Sequence, residues 1–223
     1  MEDLRQRDAT SYTKLLQERQ GAWGQPPPQP EERCVAHLFA LITRRVELMG
    51  GVKKLKARME NIRLGDPMDK NTDIGAINSK EQLTKIDRLV KQGVKEGGQA
   101  WAPSCAIPKN GFWYAPTIIT GVSPANTVVR EEIFGPVLSV MTFRTPAEAV
   151  AKANNSQYGL SAGVWTEKGS RILKMADQLN AGVVWANTFN QFDPASPFGG
   201  FKESGYGREG GRHGLLAYLK GDN

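Results

Sequence analysis

The sequence predicts an α/β fold with a largely parallel sheet flanked by helices, preceded by an atypical N-terminal extension. Three observations predict it. Apolar runs of strand length alternate with stretches whose apolar residues recur every three or four positions, the pattern of βαβ units. Start and stop residues bound the periodic stretches. The 223 residues, 39% hydrophobic and 23% charged, also suffice for a domain or somewhat more, burying roughly 70% of the surface an unfolded chain exposes.

The extension comes first. Residues 1–31 are polar and end in Gly24-Gln25-Pro26-Pro27-Pro28-Gln29-Pro30-Glu31, a segment suited to extended polyproline geometry and barred from helix or sheet interiors. Across 32–51, Val35, Leu38, Phe39, Ile42, Val46 and Met49 recur at helical steps, predicting an amphipathic helix that Gly50-Gly51 ends. Val52, Leu55, Met59 and Ile62 repeat the pattern until Gly65-Asp66-Pro67 stops it. Ser79 and Gln82 form a capping box ahead of Leu83, Ile86, Leu89, Val90 and Val94, and Gly97-Gly98 closes that helix. Residues 112–120 read as a strand and 137–143 as a buried one. Thr145-Pro146-Ala147-Glu148 combines an N-cap, a proline at the first helical position and a glutamate three residues after the cap. Strand 160–165, helix 170–179 and strand 183–187 follow.

Composition excludes several classes. Cys34 and Cys105 give no disulfide framework, so a reducing compartment is expected. No apolar stretch approaches the roughly 18 residues of a membrane span, and the acid-bearing N-terminus is unlike a signal peptide. A cytoplasmic protein is expected. Residues 1–51 carry as many acids as bases, so the net charge of +6 lies in 52–223. Its densest cluster, Lys53, Lys54, Lys56 and Arg58, falls on a predicted helix and reads as a solvated face. Nucleic acid, which needs a basic stripe with base-reading partners, is not expected. Two histidines and no CxxC or HxxxH spacing leave no metal site to predict, and neither a Walker loop nor GxGxxG appears.

Two segments carry chemistry. Glu131-Glu132-Ile133-Phe134-Gly135-Pro136 holds a carboxylate and a ring at the entrance of a buried strand. Ser196-Pro197-Phe198-Gly199-Gly200-Phe201-Lys202-Glu203-Ser204-Gly205-Tyr206-Gly207-Arg208-Glu209 is glycine-rich, and fixing such a loop costs entropy, so it suggests a shaped wall or a closely approaching backbone. Alone, each motif also reads as a charged hairpin or a flexible linker.

Together and in this order the segments resemble the aldehyde dehydrogenase superfamily. The resemblance runs through 61–67, Asp73-Ile74-Gly75, 111–117, 131–136, 154–160, 182–187, 197–209 and Gly214-Leu215, covering about 52–220. It implies that 52–223 is the C-terminal part of a catalytic domain. Gly210-Gly211 and the closing Tyr218-Leu219 are also similar to the family-sixteen branch.

The resemblance implies oxidation of an aldehyde to a carboxylate with NAD or NADP. A cysteine thiolate attacks the carbonyl, hydride passes to the nicotinamide, and a glutamate-activated water hydrolyses the thioester, splitting one difficult step into two. Matched by motif, Glu132 implies the acid that holds the nicotinamide ribose and Phe134 the ring beside it. Phe198 and Phe192 imply aromatics of the substrate tunnel. Asn187 and Lys202 fall at framework positions without assigned chemistry. Cys34 is the candidate nucleophile, at nearly the family's distance before Gly65-Asp66-Pro67 and next to Arg33, against the competing reading of a buried or incidental cysteine. Its neighbours depart from the family's Gly-Gln-x-Cys context, and the predicted helix stands where the family has a loop and a strand. Cys105, on a connecting loop, is the lesser candidate.

The departures set the functional expectation. The family's dinucleotide-binding domain, oxyanion-hole asparagine segment and Glu-Leu-Gly-Gly segment find no counterpart in these 223 residues. The chain ends at Gly221-Asp222-Asn223, where the family continues into an oligomerisation strand. A partial catalytic domain, inactive alone and not expected to bind NAD or NADP well, is therefore predicted. The alternative is a truncated isoform or pseudoenzyme acting through protein contacts. The partners implied are an aldehyde, a second copy of the chain or a full-length aldehyde dehydrogenase subunit, with no membrane.

Overall fold

Parallel pairing lays out the first part of the chain. The computed structural model describes residues 38–43 and 50–220, which divide into two units, one up to Thr145 and one from Pro146. The first contains β1 (Leu38–Thr43), α1 (Gly51–Met59), α2 (Lys80–Lys95), β2 (Gln99–Trp101), β3 (Thr117–Thr120), α3 (Thr127–Arg130) and β4 (Val137–Phe143). The sheet order is β1-β4-β3-β2. β4 pairs in parallel with β1, Leu38 opposite Leu138 through Thr43 opposite Phe143, and with β3, Thr117 opposite Val137. Only the β2 edge is antiparallel, Trp101 opposite Ile118.

Strand alternation divides the side chains between two cores. Ile118 and Val140 face Leu55 and Met59 of α1, together with Ile42. Ile119 and Val137 face Ile86, Leu89 and Val90 of α2, together with Val128 of α3 and Ile133. The sheet is thus covered by helices on both faces, the α/β arrangement expected.

β1 corrects the expected helix over 32–51. Residues 38–43 are a strand, and the rest of that segment up to 49 lies outside the described residues. The apolar run Leu38-Phe39-Ala40-Leu41-Ile42 fits both periods, and a parallel partner on β4 decides for the strand. Ala40 and Ile42, two residues apart, both pack into the α1 core.

The helices follow their start signals. Ser79 Oγ accepts from the Gln82 N–H at 3.1 Å at the start of α2, whose Ile86, Leu89 and Val90 form the buried stripe. The one-turn α3 is fastened from both ends of the Asn126 amide, which accepts from Val128 N at 3.1 Å and donates to Gly93 O at 2.9 Å. Glu96, just beyond α2, accepts from Thr127 N at 2.6 Å and from the Thr127 hydroxyl at 2.7 Å. On α1 the exposed Lys53 and Lys54 match a solvated face, while Lys56 lies over the Trp101 ring at 5.2 Å.

The second unit contains α4 (Pro146–Asn154), β5 (Tyr158–Gly159), β6 (Ser161–Val164), α5 (Gly169–Gln178), β7 (Val183–Ala186), β8 (Phe201–Lys202) and α6 (Gly211–Leu216). β6 and β7 pair in parallel, and β5 and β8 antiparallel. Among the described residues no helix is long and apolar enough to cross a membrane.

Two predictions follow from this packing. Ile119→Ala, at a fully buried position shared by sheet and α2, is expected to cost about 2–5 kcal/mol, whereas Leu173→Ala, 75% exposed, should stay within about 0.5 kcal/mol; urea unfolding compares them. The Thr127 N–H first, then the Thr127 hydroxyl and the Gln92 amide, hold the Glu96 carboxyl below its ordinary range. Its contribution is complete above the unfolded carboxylate value and is lost as pH falls through the depressed folded value. Glu96→Gln should therefore flatten the acid limb of Tm against pH.

Candidate functional site

Glu131-Glu132-Ile133-Phe134-Gly135-Pro136 is the last part of the crossover between β3 and β4. Ile133 is its anchor, fully buried against Ile86, Leu89 and Val137. Glu132 and Phe134 flank that anchor, the first half-buried and the second 38% exposed. Among the described residues, no side chain hydrogen-bonds to or pairs with the Glu132 carboxylate. Downstream the turn is tied to the sheet, where Thr117 N donates to Pro136 O at 2.8 Å and Val137 N to Gly135 O at 2.7 Å.

Phe134 has φ 55°, in the left-handed region, which costs a side-chain-bearing residue about 1–2 kcal/mol. The surrounding contacts are sufficient to hold it there. Gln82 Nε2 donates to Ile133 O and to Phe134 O, each at 2.9 Å, and two such bonds contribute about 0.5–1.5 kcal/mol apiece. The two bonds together, about 1–3 kcal/mol, are of the size needed to offset the strain, while burial of Ile133 anchors the residue before it. Gly135 is required by contact, since a Cβ there would stand 2.5 Å from Ile86 Cδ1.

The second unit holds the other predicted side chains. Trp185 is nearly buried, donates from Nε1 to Gln191 O at 3.1 Å, and meets Phe189 and Phe192 edge-on at 4.7 and 5.6 Å between centroids. Phe192 in turn meets Phe198 at 4.9 Å and 80°. Two backbone bonds of 2.7 Å join Phe198 to Glu209. The two predicted tunnel aromatics are therefore neighbours in one edge-to-face series.

The glycine-rich loop is a set of close backbone approaches. A Cβ on Gly182 would collide with the carbonyl oxygen of Gly199. Arg208 Nη1 donates to Gly200 O and Gly207 O, both at 2.8 Å, and its guanidinium lies 5.0 Å from the Phe201 ring centre. Lys202, at φ 56°, donates from Nζ to Asn154 O at 3.1 Å and Ser156 O at 2.8 Å. Asn187, at φ 54°, accepts from Thr166 N at 2.9 Å and donates to Thr166 O at 3.1 Å. Lys202 and Asn187 thus use their polar atoms to join chain segments.

Of the two cysteines, Cys34 lies outside the described residues. Cys105 is described, and burial above all pushes its thiol up, with the Glu60 charge adding to it. That is the reverse of what a nucleophilic thiolate needs.

Comparison with known proteins assigns the family. The model of the aldehyde dehydrogenase family matches residues 30–222. The chain is an aldehyde dehydrogenase family member. The betaine aldehyde dehydrogenase of Sinorhizobium fredii is 44% identical over 160 residues, covering 70% of this chain and 33% of that enzyme. The cytosolic 10-formyltetrahydrofolate dehydrogenase of Xenopus tropicalis is 38% identical over 171 residues, covering 76% of this chain and 19% of that protein. An aldehyde dehydrogenase of Bacillus cereus, solved as an NAD+ complex, superposes with a TM-score of 0.76 at 39% identity, over 82% of this chain and 37% of that one. The chain thus spans between about a fifth and two fifths of the length of the relatives it matches. The family match also takes in residues 30–51, which the motifs alone left outside, and with them β1.

Sequence reasoning missed two side chains that shape these places. Gln82 was visible only as a capping-box partner, yet its amide reaches the Phe134 turn instead of its own helix start. Arg208 was one cation in a glycine run, and only that isolation among backbone carbonyls hinted at its use. Arg208→Lys, which replaces a planar fork by a point donor, is expected to lower stability by about 1–3 kcal/mol. Thermal unfolding measures it, and Arg212→Lys, on an exposed side chain nearby in sequence, should change little.

Proposed function

We propose that these residues form the part of an NAD(P)-dependent aldehyde dehydrogenase that holds the nicotinamide ribose and lines the aldehyde's approach. The observation that carries this reading is the Glu132–Phe134 turn, a carboxylate without a partner among the described residues beside a ring held in a strained conformation. Strain of this kind persists where surrounding structure over-determines it and gathers at ligand clamps. An ionised carboxylate is an acceptor only and suits the paired hydroxyls of a ribose. Glu132 would accept from those hydroxyls and Phe134 would pack beside the ring they carry. When bound, the dinucleotide supplies the acceptor for the aldehyde's hydride.

The edge-to-face series of Phe192 and Phe198 supports an apolar wall for the aldehyde. Cys34 is proposed as the nucleophile. It lies four residues before β1 in sequence and within the matched family region, and the loop-then-strand order of the family is better served by β1 than by the helix expected. The 223 residues on their own are proposed not to turn over, because no residue among them matches the family's general base.

Nicotinamide mononucleotide, the half of the cofactor that carries this ribose, tests the reading. Titrated into the labelled chain, it should shift the amide resonances of Glu132 and Phe134, and Glu132→Gln should weaken binding about tenfold, as loss of one charge-assisted bond does. No response at either residue would sink the ribose assignment. In a coupled assay with NAD and a short aliphatic aldehyde no turnover is expected; turnover abolished by Cys34→Ala would show a complete active site within these residues.

A further inference from the structure

We propose that Gln82 is a positioning residue for the cofactor turn, acting through the backbone conformation of Phe134; this rests on the nicotinamide-ribose reading of that turn. Gln82 is the third residue of α2, and its N–H is already held by Ser79 Oγ. Its side chain is therefore launched from a fixed point. Both hydrogens of the amide are used, one on Ile133 O and one on Phe134 O, at 2.9 Å each. Two acceptor carbonyls at one amide leave only the NH2 orientation open to it.

One helical turn later on the same face comes Ile86. It is fully buried and occupies the space that a Cβ of Gly135 would need. α2 thus grips the turn on both sides of the strained residue, by a polar clamp at 133 and 134 and by apolar contact at 135. Phe134 itself is partly exposed, and its ring adds no burial comparable to Ile133. The conformation that presents it is accordingly set from outside by Gln82. A capping role does not require this, because the Ser79 cap bond is made to the Gln82 backbone N–H and leaves the side chain out of it.

Gln82→Glu isolates the clamp. The substitution keeps the side-chain length, and glutamate is at least as good at the third helical position, so α2 itself should hold. It removes both donors and sets a carboxylate against two carbonyls. In the full chain, the Cα and Cβ resonances of Phe134 report the sign of φ. They are expected to leave left-handed values in Gln82→Glu, while the Ile133 methyl signals stay. If a tenth of the molecules keep the competent turn, affinity for nicotinamide mononucleotide falls about tenfold. Glycine enters the left-handed region freely, so in a Phe134→Gly background the same substitution should change affinity less than twofold, a coupling read by the double-mutant cycle.

Unchanged Phe134 resonances in Gln82→Glu would overturn the proposal, whatever the nucleotide does. Displaced resonances with unaltered affinity would overturn it as well, leaving the bonds merely structural. Failure of the unsubstituted chain to bind the nucleotide would overturn the ribose reading instead, and the Phe134 resonances would then still decide whether Gln82 sets the turn.

Discussion

A parallel strand cannot be reached by a tight turn, and most of the first unit follows from that constraint. β3 and β4 lie side by side in the same direction, so the chain between them must leave the sheet and return on one face. Residues 121–136 do this on the face covered by α2. The outward leg ends in the single turn of α3, and the return leg is the Glu131–Pro136 segment. Both legs need fastening, since neither has a ladder of its own. Val128 and Ile133 supply apolar anchors, Asn126 and Glu96 join α3 to the end of α2, and Gln82 joins the return leg to its beginning. One helix therefore serves as the template for the whole crossover. The candidate cofactor contact sits where the crossover re-enters the sheet, outside the start of a strand and beside the first turn of a helix.

How far the sequence revealed this depends on the range of the interaction. β4 was legible because Val137–Phe143 is a dense apolar run bounded by Gly-Pro and Thr-Pro, and a buried parallel strand needs nothing more. α2 was legible because its cap and its stripe are both local. β1 was not, because a five-residue apolar run was embedded in a longer stretch with helical spacing, and the partner that settles it lies about a hundred residues away on β4. The strand expected over 112–120 shrinks to Thr117–Thr120, since Pro116 has no N–H to give and pairing begins only after it. β2 was unseen, being three residues on an edge.

The candidate site divides in the same way. Glu132 and Phe134 could be named from an ordered motif, because residue type and order survive in one dimension. The left-handed φ of Phe134 could not, since a phenylalanine carries no signal for it. Neither could its clamp, whose two hydrogen bonds span 51 and 52 residues. A capping box is a local rule, and the same glutamine can satisfy the rule through its backbone while its side chain serves a distant turn.

The second unit solves a different problem with the same chemistry. Its sheets are two-stranded pairs, so ladders satisfy few backbone groups, and the loop between β7 and α6 must find acceptors and donors elsewhere. Arg208 supplies donors to Gly200 O and Gly207 O within the loop, while Lys202 and Asn187 tie it to Asn154, Ser156 and Thr166 on other segments. Two are cations whose nitrogens point at carbonyls instead of at acids. Lys202 and Asn187 also hold left-handed backbone, as Phe134 does, but each is tied to another segment by its own polar side chain. That contrast separates the two uses of strain: at Asn187 and Lys202 the side chain itself offsets the cost, whereas at Phe134 another residue does, and the ring is left presented.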